Sequence, residues 1–357
     1  MQEIRIQLAE KKKTKPKDAS ALGFGTVFTD HMLLMNYTEE KGWHDMRIEP
    51  YHPFSMDPAC TVYHYGQSIF EGLKCYRSEE GELRLFRPRD NFARMNRSAE
   101  RMSIPPIDEA QCMEGLRKLL AIEEEWAPSA EGASLYIRPT IIATDVSLSV
   151  YASHTYCFFI ILSPSGPYYP EGLSPVSIYV EDALIRAVRG GIGFTKASAN
   201  YAVSLYAGSK AKEKGYAQVL WLDGVEKKYI EEVGAMNIMF VCGNKLLTPA
   251  LSDSILAGIT RDSILRIAKD AGYEVEERRI AMAEILHGIE TGEITEVFGT
   301  GTAAVVSPVK ALCYQDKVWN VGDGKIGGVT QRMYDALVGI QKGTLQDPYG
   351  WTVNVTA

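Results

Sequence analysis

The sequence predicts a mixed α+β protein of two domains, the second carrying a barrel-like sheet. Apolar runs of strand character alternate with segments of helical spacing along the chain. A Pro- and Gly-dense stretch, "SPSGPYYPEGLSP" at 163–175, interrupts them near the middle. Beyond it, successive strands follow one another through short turns, which builds an antiparallel or barrel-like sheet and not a doubly wound parallel one. The expected boundaries are a smaller N-terminal domain over 1–168, a connecting segment over 169–182 and a larger C-terminal domain over 183–357. At 357 residues, 46% of them hydrophobic, the chain is long enough to bury two cores.

In the first domain, "EGLKCYR" and "GELRLFRP" read as strands around a glycine turn. "NFARMNRSAERM" and "EAQCMEGLRKLLAIEEEW" repeat apolar residues at helical spacing, and "SLYIRPTIIAT" and "HTYCFFIILS" return to strand character. In the second, a helix begins near Ser198 and stops at Gly215. The strand "AQVLWL", a turn at Asp223-Gly224 and the strands "KKYIEEV", "NIMFVC" and "KLLTPAL" follow. Helices at "TRDSILRIAKDAG" and "MAEILHGIETG" each end on a glycine, which tolerates the left-handed conformation of a helix stop.

A net charge of −7 argues against a nucleic-acid partner, which requires clustered Lys and Arg. The one basic run, "KKKTKPK" at 11–17, reads as a solvated N-terminal segment, and "MQEIRIQLAE" resembles neither a secretory signal nor a transit peptide. Six cysteines without a C-x-x-C pair suit reduced thiols in a cytoplasmic protein. Six dispersed histidines give no metal site, and no apolar run reaches membrane-spanning length. The partner expected is a small molecule.

Two glycine clusters imitate nucleotide-binding motifs. "GIGFTK" has Lys196 where a dinucleotide fingerprint has its third glycine, and "GTGTAA" at 299–304 leaves too little chain to complete such a domain. The second reads as a turn whose amides face an anion.

Lys196 lies among small residues, with Arg186 and Arg189 close by and no Asp or Glu from Ala183 to Lys212. Loss of water and like charge both disfavour an ammonium, and a neutral amine is a nucleophile. Neutral lysines form Schiff bases with carbonyls, pyridoxal 5'-phosphate being the commonest carbonyl cofactor that uses one. Such a cofactor needs a phosphate cup, an anion at its pyridine nitrogen and a donor near its ring oxygen. "LAGITRDSIL" puts Ile259 and Thr260 at a helix start, where amides and the helix dipole attract phosphate; the same residues also suit an ordinary capped helix. Glu232 closes the strand before Val233-Gly234, and Tyr201 follows Lys196 by five residues. Taken alone, Glu232 more commonly suits a solvent-facing strand position, and Tyr201 equally suits a packed place on a helix.

Eight segments in order carry a resemblance: "FGTVFTDHM", "YGQSIFEGLKCYR", "LFRPRDNFARM", "LYIRP", "GGIGFTKASANY", "EEVGAMN", "AGITRDSIL" and "GTGTAAVVSP". From about Phe24 to Lys342 the chain resembles the branched-chain amino-acid aminotransferases, fold-type IV pyridoxal phosphate enzymes. The resemblance implies that Lys196 is the Schiff-base lysine and the carrier of the proton between substrate and cofactor. Tyr201 would stand near the ring oxygen, Glu232 would hold the pyridine nitrogen's proton, and Arg94, Ile259, Thr260 and Thr302 would bind the phosphate. It implies a substrate site of Phe24, Tyr65, Phe70, Tyr136, Arg138 and Tyr168, with Ala235 and Ala303 beside them. Leu148 and Val150 would enter from a second subunit, making the enzyme a homodimer. The implied reaction is reversible transfer of the amino group of leucine, isoleucine or valine to 2-oxoglutarate, giving glutamate, by a ping-pong cycle.

Two positions depart from relatives. Ala235 stands where some carry a hydroxyl, and Ala304 and Ser307 occupy the positions of a C-x-x-C pair in the animal enzymes. A D-amino-acid aminotransferase or an aminodeoxychorismate lyase is the alternative within the fold, and an anion-binding protein without turnover is the alternative outside it.

Overall fold

In the computed structural model, which describes residues 3–16, 22–166 and 173–355, the chain divides into two units. The first comprises Met1–Pro170, Thr195–Ala199 and Ile340–Ala357; the second comprises Glu171–Phe194 and Asn200–Gly339.

The first unit is built on a nine-stranded sheet among the described residues. From one edge its strands are Arg5–Ile6, Gly42–Pro50, His31–Thr38, Thr155–Ser165, Ser134–Ala143, Leu73–Arg77, Leu83–Phe86 and Thr352–Asn354, with Ser68–Phe70 pairing Ser134–Ala143 beside them. Strand Ser134–Ala143 buries Leu135, Ile137, Ile141 and Ala143, the period of two that puts alternate side chains on one face. Helix Pro88–Arg101 opens with proline at its first turn and buries Asn91, Phe92, Arg94, Met95, Ser98 and Ala99 on one stripe. Two polar residues, Arg94 and Ser98, therefore lie on the face that packs inward.

The second unit has its own nine-stranded sheet, which curls into a half-barrel. Its order is Ile230–Val233, Gln218–Leu222, Val176–Glu181, Val305–Tyr314, Ile294–Gly301, Asn237–Cys242, Lys245–Pro249 and Glu274–Arg278, with Lys317–Asn320 paired to Val305–Tyr314. Hairpins supply most of the antiparallel pairs, and Asn237–Cys242 pairs antiparallel with the distant Ile294–Gly301. Val176–Glu181, however, pairs in parallel with both Gln218–Leu222 and Val305–Tyr314, so the sheet is mixed. Helix Met282–Thr291 buries Met282, Ile285 and Leu286 in a core with Ile178, Phe240 and Leu312, and stops at Gly292 with φ 80°.

The two units differ from the contiguous domains expected from the sequence at three places. Most of the segment expected to connect them, from Glu171 on, belongs to the second unit, where Val176–Glu181 is an interior strand of its sheet. Thr195–Ala199 and the last residues from Ile340 onward belong with the first unit. Strand Thr352–Asn354 pairs with Leu83–Phe86, Trp351 is buried against Phe86, and Arg117 donates to the carbonyls of Asn354 and Val355.

Among the described residues no helix is long and apolar enough to cross a membrane, and no group of three or more His, Cys, Asp or Glu is placed to hold a metal. All six cysteines are free thiols.

Candidate active site

In the first unit Lys196 is fixed through its backbone from two directions. The Phe70 N–H donates to its carbonyl at 3.0 Å, while its own N–H donates to Ser98 Oγ at 3.0 Å. Ala197 forms a β-bridge with Ile69, and Ser68 Oγ donates to Ser198 Oγ at 2.7 Å. The segment is thus tied to an edge strand and a helix, and its side chain starts from a defined point. Lys196 Nζ lies 4.9 Å from the Phe70 ring centroid, and the Arg138 guanidinium lies 4.6 Å from the same centroid.

Arg138 Nη2 donates to Tyr136 Oη at 2.9 Å, and the Tyr136 ring meets Phe24 edge-on at 4.7 Å. Arg138 Nε is buried without a hydrogen-bond partner among the described residues. Arg94 forms a side-on pair with Glu71, Nε to Oε1 and Nη2 to Oε2, each 2.8 Å. The Tyr65 hydroxyl donates to the Leu148 carbonyl. Leu148 and Val150 are 67% and 81% exposed, high for aliphatic side chains in a loop that four hydrogen bonds from or to Asp145 and Ser153 hold in place. Tyr168 lies outside the described residues.

In the second unit Glu232 is buried at the end of strand Ile230–Val233. Its Oε1 accepts the Leu256 N–H at 2.8 Å, and its Oε2 pairs with Arg186 Nη2 at 3.1 Å. Asn237 Nδ2 donates to the Leu256 carbonyl at 2.9 Å, so the approach to the next helix is tied to the strand that follows Glu232. Ile259 and Thr260 open that helix after Gly258, which offers no side chain to cap it. Thr302 and Ala303 lie in the turn between strands Ile294–Gly301 and Val305–Tyr314; Ala235 lies in the turn between Ile230–Val233 and Asn237–Cys242. Tyr201 sits in the first turn of helix Ser198–Glu213.

Arg186, expected only as a cationic neighbour of Lys196, has its charge engaged by Glu232. Beside it, burial raises the Glu231 carboxyl above the usual range, against the opposing effects of Ser254 and Arg186.

The sequence model of the family described as Amino-transferase class IV matches residues 68–312. Over 356 residues the chain is 54% identical to branched-chain-amino-acid aminotransferase 2 of Bacillus subtilis (strain 168), covering 100% of this chain and 98% of that one. It is 48% identical over 330 residues to a probable branched-chain-amino-acid aminotransferase of Streptomyces coelicolor, covering 92% and 91%. The chain belongs to the class IV branched-chain amino-acid aminotransferases. The crystal structure of the Escherichia coli branched-chain amino acid aminotransferase superposes with a TM-score of 0.76 at 29% identity, covering 91% of this chain and 99% of that one. The Thermobaculum terrenum enzyme in its PLP form gives 0.75 at 25%, covering 90% and 98%.

For this branched-chain aminotransferase, sequence reasoning passed over Glu71, Ser98 and Arg186. Glu71 left a signal: it is the sole acidic residue between Pro58 and Ser78, beside an arginine on the inward stripe of a helix. Buried arginines on such a stripe need a carboxylate. Ser98 left none beyond its place on the same stripe. Arg186 was noticed for its charge, but its partner stands 46 residues away in sequence and no local pattern points to it.

Proposed function

We propose that the chain reversibly transfers the amino group of L-leucine, L-isoleucine or L-valine to 2-oxoglutarate, with pyridoxal 5'-phosphate as cofactor and Lys196 as covalent anchor and proton carrier. The observation that carries the reading is the two-sided backbone clamp on Lys196, which holds one lysine among small residues with its amine over the Phe70 ring.

The residues suit the cofactor's chemistry. Glu232 is a buried carboxylate already held by an amide and a guanidinium, the setting in which it can keep a pyridine nitrogen protonated. The helix start after Gly258 has the amide geometry that favours a phosphate, and a Cβ at Gly258 would stand 2.0 Å from Asn237 Oδ1. When bound, pyridoxal 5'-phosphate supplies an aldehyde for amines and a ring that accepts electron density. Arg94, Ile259, Thr260 and Thr302 are assigned to its phosphate, and Tyr201 to its ring oxygen. With the cofactor bound, Lys196 would be its covalent anchor and would hold and move the proton lost from the substrate's alpha carbon, serving as base and acid in turn.

Phe24, Tyr65, Phe70, Tyr136 and Tyr168 are assigned to the side-chain pocket, with Ala235 and Ala303 at the substrate carboxylate. Such a surface selects by buried area, and one methylene changes discrimination by ~1 to 3 kcal/mol. Glutamate also has to enter. Arg138, with its buried Nε lacking a partner, is the group assigned to the distal carboxylate. The exposure of Leu148 and Val150 supports a homodimer in which each loop completes the partner's pocket. The reduced thiols suit a cytoplasmic enzyme.

Lys196→Ala is expected to lose the yellow imine absorption and nearly all transamination; full turnover by that variant excludes the assignment. Glu232→Gln should slow turnover far more than it lowers cofactor occupancy. L- and D-forms of leucine, valine, alanine and phenylalanine, offered with 2-oxoglutarate, separate this activity from a D-amino-acid aminotransferase by handedness.

A further inference from the structure

We propose that Glu71 is a positioning residue that aims the Arg94 guanidinium at the cofactor phosphate. The inference rests on the reading that Arg94 clamps that phosphate. Glu71 is fully buried and Arg94 is nearly so. Glu71 is itself anchored: its backbone N–H donates to the Pro139 carbonyl of strand Ser134–Ala143 at 2.8 Å, and its carboxylate Oε2 accepts the Gly72 N–H at 3.2 Å. Arg94 reaches it from helix Pro88–Arg101 through Nε and Nη2, both at 2.8 Å.

A guanidinium is a flat fork of five donors, and a side-on pair through Nε and Nη2 fixes both its plane and its roll. The donors on Nη1 and the second hydrogen of Nη2 then point away from Glu71 in that plane. A long arginine side chain otherwise spreads over many rotamers, and each has to be given up when an anion binds. Glu71 has removed them beforehand. Sheet, carboxylate and guanidinium form one rigid series, so the direction of Arg94 is set by strand Ser134–Ala143 and not by the helix that bears it.

Two roles for Glu71 predict opposite signs. As a mere counter-charge it weakens the pull of Arg94 on a dianion, so neutralising it would tighten phosphate binding. As a positioning group it is worth more than that pull, because Glu71→Gln turns an N–H toward one of the two guanidinium N–H groups and breaks the fork.

The experiment removes the cofactor from the purified full-length enzyme and titrates it back, with pyridoxal 5'-phosphate and separately with pyridoxal, following the imine absorption. The dissociation constant for pyridoxal divided by that for pyridoxal 5'-phosphate isolates the phosphate contact. Glu71→Gln should reduce that ratio about tenfold, the worth of one hydrogen bond to a charged group. Glu71→Asp, which keeps the charge on a shorter arm, should also reduce it and serves if the first variant fails to fold. An unchanged or increased ratio in the folded variant overturns the proposal. So does an equal loss for both ligands, which marks general damage. Arg94→Lys separates the two levels: if it leaves the ratio intact, the Arg94 assignment itself fails. If Arg94→Lys lowers the ratio and the Glu71 variants do not, only the present inference falls. In the Arg94→Lys background Glu71→Gln should add no further loss.

Discussion

Replacing Gly72 by alanine tests whether the packing around Tyr136 is as tight as its geometry states. A Cβ at position 72 would lie 2.1 Å from Tyr136 Oη and 3.1 Å from Tyr136 Cζ. The backbone at Gly72 does not require positive φ, so alanine gains ~0.4 to 1 kcal/mol by narrowing the unfolded ensemble. Against this, the phenol has to move by about an ångström, and it is poorly placed to do so. Tyr136 lies in the middle of strand Ser134–Ala143, paired with Lys74 on one side and Ser163 on the other, with its ring against Phe24 and its hydroxyl bonded to Arg138. Overpacking costs ~1 to 3 kcal/mol, and breaking the Arg138 bond costs ~1 to 3 kcal/mol more. Gly72→Ala is therefore expected to lower the unfolding free energy by roughly 2 to 5 kcal/mol in a urea titration, and to raise KM for leucine. Tyr136→Phe removes the clashing oxygen and leaves the 3.1 Å contact as the tightest, so the double variant should recover the overpacking share, about half of the stability lost, while the Arg138 bond stays broken. Parental stability in Gly72→Ala, or a double variant no more stable than the single, refutes the reasoning.

Three further outcomes are expected. Burial holds the Lys74 ammonium down to about 8, below its unfolded value near ~10.4, so the folded state gains stability as pH rises from ~8 to ~10 and loses it on the way down. Lys74→Met should abolish that rise and raise the melting temperature at pH 7, where the charged form costs about 3 kcal/mol at ~1.4 kcal/mol per unit. At Asp145 burial acts upward, but bonds from His154, Thr155 and Ser153 outweigh it and the carboxyl ends below its usual range. Its stabilisation is present above ~3.9 and lost as pH falls through the lower folded value, so Asp145→Asn should flatten the acid limb of unfolding and speed hydrogen exchange in residues 146–154. Gly258→Ala should break the Asn237 bond to the Leu256 carbonyl and release the cofactor on gel filtration, whereas retention at parental occupancy contradicts the assigned phosphate cup.

Local rules read many elements because local causes make them. Helix Met282–Thr291 carries one apolar stripe and ends at a left-handed glycine, and both marks lie within eleven residues. Strands Ser134–Ala143 and Thr155–Ser165 bury enough apolar side chains to announce themselves. The parallel pairing of Val176–Glu181 with Val305–Tyr314 has no such mark, since the partners are more than a hundred residues apart and a parallel ladder needs no turn between them. The return of Thr352–Asn354 to the first sheet is equally silent: its anchors, Phe86, Arg87 and Arg117, lie far upstream. At the site, Lys196 stood out by the absence of local acids, whereas the partners that make the charges tolerable, Glu71 for Arg94 and Glu232 for Arg186, are set by folding alone.

The five residues Ser68, Ile69, Phe70, Glu71 and Gly72 show why a strand of three residues suffices to organise one half of the site. An extended chain turns successive side chains to opposite faces, so neighbours in sequence can serve different clients. Ser68 holds Ser198 and Ile69 bridges Ala197, while Phe70 gives its N–H to Lys196 and its ring to the Lys196 and Arg138 side chains. Glu71 then faces Arg94, and Gly72 makes room for the Tyr136 hydroxyl. None of these duties is interchangeable with its neighbour's. A slip of one residue would send the ring toward the arginine and the carboxylate toward the lysine, turning both contacts into mismatches at once. Pairing with Ser134–Ala143 on one edge and the bridge to Ala197 on the other oppose that slip. The short strand thus helps to fix lysine, arginine and tyrosine relative to one another through its register, while Ser98 holds the lysine from the other side.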